Sequence, residues 1–366
     1  AKLDDAGKIV FARRVAITDE SFVSRIAVDD AGDLYATLYV VNTGSGHLAD
    51  FGSGQQSSTS GWFVAKLRGT DGTVVWAVPG PLVGAASVAA AGSVVAIGGG
   101  EYFVVDGGYE TDYEVDTLDR ATGSPSKTFA FSSPHPNGTS FDVAVAPSGE
   151  VSFAFAYQQD VTIPGFAPLT TAAQQSVIVR LDTNLSAKWV APIAGATSGL
   201  VLASLSSGDL AVQGGYGAMI DVGGFSLTSK GGSADVFFSR FTASGQASWA
   251  KSFGSASVDT AAGLAASPAG DLTAFIGFDG TLDVGGGPTA GPEAGQQPPK
   301  LAPMLLELDP AGNYVRSTAF LPTASAGALA RRADATFVAG SFTDATLFGA
   351  HETSAGLADL FVARLR

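Results

Sequence analysis

Only three histidines, His47, His135 and His351, stand in this 366-residue chain, and each lies in a Gly/Ser/Pro-rich stretch. None has a second histidine at the i,i+2 or i,i+4 spacing that turns two imidazoles onto one metal. No strand-to-helix Gly-x-Ser-x-Gly elbow accompanies them, so a serine triad has no nucleophile to build on. With no cysteine, thiolate ligands, thiol nucleophiles and disulfides are all excluded. Acidic residues recur as Asp-hydrophobe-Gly at Asp50, Asp221 and Asp283. That pattern is turn chemistry, because an aspartate side chain caps amides of its own turn. Calcium would need six to eight oxygens, and neither an EF-hand nor a nonapeptide repeat supplies them, so no metal is assigned. Gly98–Gly100 and Gly285–Gly287 lack the Lys-Ser/Thr of a phosphate loop. No cofactor and no catalytic residue is expected.

The elements that carry these residues repeat. Ile26-Ala-Val-Asp-Asp-Ala-Gly32-Asp-Leu-Tyr-Ala is followed by similar apolar–turn–apolar units at Gly92, Gly149, Gly208 and Gly270, and by a degenerate copy with Ala335. The turn positions lie 60, 57, 59, 62 and 65 residues apart. Such units read as β-hairpins, glycine supplying the left-handed backbone of the turn. A third strand follows with a basic residue in fourth place: Lys66, Arg180, Arg240 and Arg364, inverted to Glu307 in the fifth copy. A recurring slot speaks for blade packing rather than one convergent site. Arg13, Arg14 and Arg25 remain as candidates for a loop-facing pocket. After a second turn comes a fourth strand with an aromatic at Phe11, Trp76, Phe129, Trp189 or Trp249, where the last full copy has Arg316. These rings are expected to pack between neighbouring sheets.

Four short strands repeated sixfold, with no helical periodicity, predict an all-β fold: a single six-bladed β-propeller over residues 1–366, with four-stranded antiparallel blades. The blades fall at about 17–79, 80–132, 133–193, 194–253, 254–320 and 321–366 plus 8–15. The chain opens on a fourth-strand type of segment, Lys8–Val15, and ends on a third-strand type, Phe361–Leu365. Pairing the N-terminal strand with the C-terminal blade would close the ring and remove exposed sheet edges.

Ile220-Asp-Val-Gly-Gly-Phe-Ser-Leu-Thr-Ser-Lys-Gly-Gly-Ser-Ala-Asp-Val-Phe-Phe-Ser-Arg-Phe-Thr-Ala-Ser-Gly-Gln-Ala-Ser-Trp249 resembles the bacterial SBBP propeller repeat, and Leu282–Gly286 and Asp359–Leu365 carry parts of the same pattern. The resemblance implies an exported, lipoprotein-like bacterial protein with no settled activity. Leu67-Arg-Gly-Thr-Asp-Gly72-Thr-Val-Val-Trp76 is similar to quinoprotein repeats, but the paired cysteines and eighth blade of those enzymes are missing. Asp-Gly turns resemble sialidase Asp boxes without that family's arginine cluster and Tyr–Glu pair.

Composition adds limits. Net charge is −14 with a pI near 4.5, which opposes a nucleic-acid phosphate backbone. No run of about 18 apolar residues marks a membrane span. The chain begins at Ala1 with no leader, so a signal peptide or lipid anchor would precede it. In a propeller the short A–B and C–D turns share one face. The longer connections 41–61, 100–113, 158–175, 278–303 and 132–140 share the other, where variable loops on a rigid frame bind ligands. Residues 288–300, with Pro288, Pro292, Pro298 and Pro299, are expected to be a flexible insertion. Tyr102, Tyr109, Tyr157, Phe166 and Tyr216 are the loop-face candidates for stacking a sugar or docking a peptide. The expected function is a secreted or cell-surface binding or scaffold module for a protein or glycan. A sugar-active hydrolase or lyase, or a structural module of a surface filament, are the alternatives.

Overall fold

The computed structural model describes residues 2–3, 9–11, 16–17, 21–40, 47–52, 55–59, 61–80, 87–105, 108–134, 141–231, 234–292, 301–320, 324–331, 336–342, 344–347, 350–353 and 359–365. Within those ranges the side chains of 2–3, 9–11, 16–17, 21–24, 47, 55, 102–105, 108–109, 134 and nearly all after 320 are outside the description. Among the described residues all regular structure is β. Two compact units divide the chain: residues 1–172 with 177–190, and residues 173–176 with 191–366.

Five sheets contain four consecutive strands bonded in chain order, and the third is extended to six by the later hairpin Met219–Val222 and Phe225–Thr228, paired to its outer strand. The first is Ser21–Val28, Leu34–Val40, Trp62–Leu67 and Val74–Pro79. The second is Ser87–Ala91, Val94–Val105, Gly108–Leu118 and Pro125–Pro134. The third is Phe141–Val145, Val151–Tyr157, Gln175–Leu181 and Ala187–Ala194. Thr197–Ser204, Leu210–Tyr216, Asp235–Phe241 and Ala247–Phe253 form the fourth. Asp259–Ala266, Leu272–Phe278, Ala302–Leu308 and Tyr314–Ala319 form the fifth. In each unit the first strands of successive sheets lie side by side, which is the propeller arrangement: Ser21–Val28, Ser87–Ala91 and Phe141–Val145 in one, Thr197–Ser204, Asp259–Ala266 and Ala324–Arg331 in the other.

The sixth repeat is shorter than expected. It forms a sheet of three strands, Ala324–Arg331, Thr336–Phe342 and Asp359–Leu365. The strand expected to complete it appears at Ile9–Phe11, bonded instead to Lys2–Leu3. Among the described residues nothing pairs with the outer edge of Asp359–Leu365, so four-stranded blades number five, not six. A hairpin between near neighbours costs little loop-closure entropy, whereas pairing the two ends of the chain costs much more. The opening segment still has the geometry of an outer strand. Ala16 pairs with Asp50 as Ala194 pairs with Asp221, and Phe11 precedes Ala16 by the same five residues that separate Trp189 from Ala194.

Repeated turns make the strands fall where they do. Gly32, Gly149, Gly208 and Gly270 have φ between +82° and +93°, and each donates its N–H to the carbonyl three residues back. A side chain there would be strained, so glycine fixes the hairpin and its register. The acid that follows three of these glycines meets the basic residue of the third strand. Asp33 pairs with Lys66 (3.1 Å), Glu150 with the fully buried Arg180 (3.8 Å), and Asp209 with Arg240 (2.7 Å). In the fifth sheet the charges are exchanged: Glu307 occupies the basic slot and Arg316, in the aromatic's place, pairs with it at 2.7 Å. The second sheet has Ser93 and Thr117 at these slots, both neutral.

Arg120 does the joining there instead. Its guanidinium meets the carboxylate of Asp29, the Tyr35 hydroxyl (3.3 Å) and the Gly92 carbonyl (3.1 Å). Its own carbonyl accepts the Trp76 indole N–H (3.0 Å) and Lys66 Nζ (3.2 Å). The same role falls to Pro310 between the fourth and fifth sheets, whose carbonyl accepts from Trp249 and Arg240, both at 3.1 Å. Asp29 is almost wholly buried. Arg120→Met is therefore expected to lower stability by about 3 kcal/mol, because a buried carboxylate loses its counter-charge. Adding Asp29→Asn should recover a large part, as measured by denaturant unfolding. A strictly additive double variant would show that the two residues do not act together.

Candidate functional site

The described parts of the connections expected to be irregular include paired strands, and this moves the candidate residues. Residues 47–58 form the hairpin His47–Asp50 and Gln55–Ser58, and 219–228 form Met219–Val222 and Phe225–Thr228. Thr281–Asp283 pairs with Pro288–Ala290, so the front of the expected flexible insertion is a small hairpin. Residues 293–300, with Pro298 and Pro299, lie outside the described residues. Asp50, Asp221 and Asp283 accept the N–H of Gly52 (2.7 Å), Gly224 (2.8 Å) and Gly285 (2.8 Å), which is the turn-capping role their spacing implies. His47 and His351 sit in strands rather than connections. His135, Arg13, Arg14 and Ala335 lie outside the described residues. Arg25 bonds Asp142 at 3.3 Å, across two sheets of its own unit.

Tyr157 and Tyr216 are not loop-face aromatics. They end the wholly buried strands Val151–Tyr157 and Leu210–Tyr216, at 1% and 2% exposure, and their rings pack against Phe155 and Phe237. Phe166 is exposed, in a connection cinched by mutual hydrogen bonds between Val161 and Leu169. Tyr102 and Tyr109 are in strands, opposite Thr111 and Val104, and their side chains are outside the description. Of the repeated aromatics, Trp76 packs on Tyr35 of its own sheet (ring centroids 6.0 Å) and Phe129 on Phe153 of the next sheet (5.9 Å). Trp189 lies under the Arg180 guanidinium, and the Trp249 ring covers Gly312 of the fifth sheet. Phe11 is in the strand Ile9–Phe11, its ring undescribed.

The feature that sequence reading did not single out is in the second sheet. What reads as a loop over 100–113 is the far part of a long hairpin, Val94–Val105 with Gly108–Leu118, in unbroken register from Ala96↔Thr117 to Val105↔Gly108. These are the longest strands among the described residues, at 12 and 11 residues. Alternation puts Glu110, Asp112, Glu114 and Asp116 on one face. Glu101 stands opposite Asp112 and joins them. The other face carries Tyr113 and Val115, which pack with Phe131 and Phe155 in the core towards the third sheet. Ile97, opposite Asp116, packs with Tyr35, Val64 and Trp76 of the first sheet. The five carboxylates thus continue outward from the junction of the first two sheets.

Their electrostatics are unbalanced. Among the described residues no Lys or Arg forms an ion pair with any of the five. Hydroxyls compensate partly: Thr128 donates to Asp116 (2.6 Å) and Ser132 to Asp112. Asp116 is fully buried, and its Oδ2 meets no donor other than the neighbouring Glu114 carboxyl. Burial, then the neighbouring Asp116 carboxylate in hydrogen-bond reach, pushes Glu114 up to about 7. Burial likewise raises Asp116.

A second group of buried acids lies in the other unit, where the fourth and fifth sheets meet. Asp235, Asp259 and Asp279 are each at most 1% exposed. Asp259 accepts from the Ser255 N–H (2.6 Å) and hydroxyl (3.0 Å), Asp279 from Val258 N (2.8 Å), and Asp235 from Lys230 N (2.7 Å). Burial first, with Asp235 and Asp279 adding their charge, pushes Asp259 up to about 7. No three acids or histidines among the described residues are placed to share a metal ion.

No family model and no curated protein sequence matches this chain. Solved structures similar to it include BamB from Moraxella catarrhalis, at 10% identity over 86% of this chain and 82% of that one, with a TM-score of 0.36. The Dos1 propeller is similar at 9% identity over 89% and 91%, with a TM-score of 0.41. A Synechocystis apocarotenoid oxygenase mutant is similar at 12% identity over 85% and 69%, with a TM-score of 0.43. Resemblances of this size carry no residue role, ligand or activity across to the chain.

Proposed function

We propose that this chain is a non-catalytic binding module, exported and held at a bacterial cell surface, that recognises a protein or glycan partner. The observation that carries the reading is the second-sheet hairpin: one connection of a repeated frame is drawn out into strands of 12 and 11 residues whose polar face is not consumed by structural pairing. Elsewhere the repeated acids are spent on turns and ion pairs, as at Asp33, Asp209 and Asp283. Export and surface display rest on the resemblance of Ile220–Trp249 to the SBBP repeat.

The test replaces residues 99–114 by Asn-Gly, joining Gly98 directly to Val115 through a two-residue hairpin turn. Full chain and shortened variant are compared on glycan and surface-protein arrays. A partner bound by the full chain and lost by the variant supports the reading. A partner retained by the variant moves the site elsewhere. Turnover of any arrayed glycan by the full chain overturns the non-catalytic assignment.

A further inference from the structure

We propose that the carboxylate row of the second sheet is a docking track for an extended peptide segment of a partner protein, one that carries Lys or Arg at alternate positions. The proposal rests on the binding-module reading and names the partner's chemistry. Glu110, Asp112, Glu114 and Asp116 repeat every second residue along one strand, so their side chains are spaced by about 7 Å. An extended chain has the same repeat, so alternate Lys or Arg side chains keep step with the row, whereas a helix or a compact cation cluster does not. Glu101, beside Asp112, widens the row to two carboxylates at its middle.

The row lacks a partner of its own. Its four outer members, Glu101, Glu110, Asp112 and Glu114, are only half-buried, and no described cation pairs with them. At the deep end stands an independent sign: Asp116, fully buried on the same face, takes one hydrogen bond from Thr128, and its Oδ2 meets no donor other than the neighbouring Glu114 carboxyl. A buried carboxylate oxygen short of donors is costly, and an incoming ammonium or guanidinium supplies several donors at once. Among the described residues no three acids converge as a single metal ion would need. The chain's charge of −14 draws basic segments towards it and speeds encounter.

The probes are two acetylated, amidated decapeptides of equal charge, one alternating Thr-Lys five times, the other five Thr followed by five Lys. Binding to the full chain at low salt is read by fluorescence anisotropy or calorimetry. The alternating peptide is expected to bind at least fivefold more tightly than the block peptide. Glu101→Gln, Glu110→Gln, Asp112→Asn and Glu114→Gln together should weaken it roughly tenfold or more, with the melting temperature unchanged or raised, since repulsion is removed and Asp116 is kept. Equal binding of the two peptides overturns the track, as does binding that the fourfold variant leaves intact or a failure of the alternating peptide to bind. If an arrayed partner needs the 99–114 hairpin while neither peptide binds, this inference falls and the binding-module reading stands. If the arrays give no partner and peptide binding survives loss of the hairpin, both fall.

Discussion

Asp259→Asn is expected to raise the melting temperature markedly at pH 8 and to change it little at pH 4. In the folded chain Asp259 keeps its proton up to about pH 7, whereas in the unfolded chain it is released near the ordinary aspartate value of about 4. Between those limits the folded state holds a proton that the unfolded state lacks. Stability is therefore fullest below about pH 4, falls as pH rises to about 7, and levels off above. A displacement of about three units corresponds to roughly 4 kcal/mol, an order-of-magnitude figure for a group this buried. Asparagine keeps an acceptor for the Ser255 N–H and hydroxyl and removes the charge that Asp235 and Asp279 oppose. Lys230, whose backbone N–H reaches Asp235, acts on Asp235. Glu114 contributes with the same sign from the other unit. Calorimetric melts of the Asp259→Asn and Glu114→Gln chains from pH 4 to 8 separate the two. Wild-type stability that climbs from pH 5 to 7, or an asparagine variant that melts lower at pH 8, would show that Asp259 is ionised in the fold.

Trp76→Ala is expected to cost about 3–5 kcal/mol, the range for deleting a large buried aromatic. The ring is 8% exposed, packs on Tyr35 and covers Gly123, and its N–H serves the Arg120 carbonyl of the second sheet. Trp76→Phe should cost less, since it keeps most of the packing and loses the hydrogen bond. A coupled test is available at Gly123. Its φ is +78°, and a Cβ there would lie 2.6 Å from the indole. Gly123→Ala should destabilise the wild-type chain by both strain and clash, but only by strain once Trp76 is alanine, a non-additivity readable in urea unfolding. Additive losses would mean that the indole and the turn are not in contact.

Much of the frame was legible because its signals are local. Glycines about sixty residues apart mark the turns, and the alternating runs beside them mark the strands. The aromatic and basic slots follow from the same phase. Residues whose surroundings come from other sheets were not legible. Tyr157 and Tyr216 stand at strand ends and read as loop residues, yet neighbouring strands bury them. The six-blade count assumed that a fourth-strand sequence pairs with the chain's other end, while Ile9–Phe11 is bonded to Lys2–Leu3. The carboxylate row did have a sequence signal: Glu110-Thr-Asp112-Tyr-Glu114-Val-Asp116 alternates acid with uncharged residues at the strand period. Taking the stretch for a loop concealed it. The burial that raises Asp259 depends on segments meeting across two sheets and has no local signature.

The exchange of Glu307 and Arg316 relative to the other repeats has an evolutionary corollary. Each seam between sheets is keyed by its own wiring: Arg120 with Asp29 at one, Arg240 and Trp249 on the Pro310 carbonyl at another. A conversion tract that carried only the third strand of the fourth repeat into the fifth would bring an arginine to the slot of Glu307 and take away the acid that Arg316 pairs with. Short gene-conversion tracts among the repeats would thus be selected against, and their divergence preserved, even though every unit is drawn from the same template.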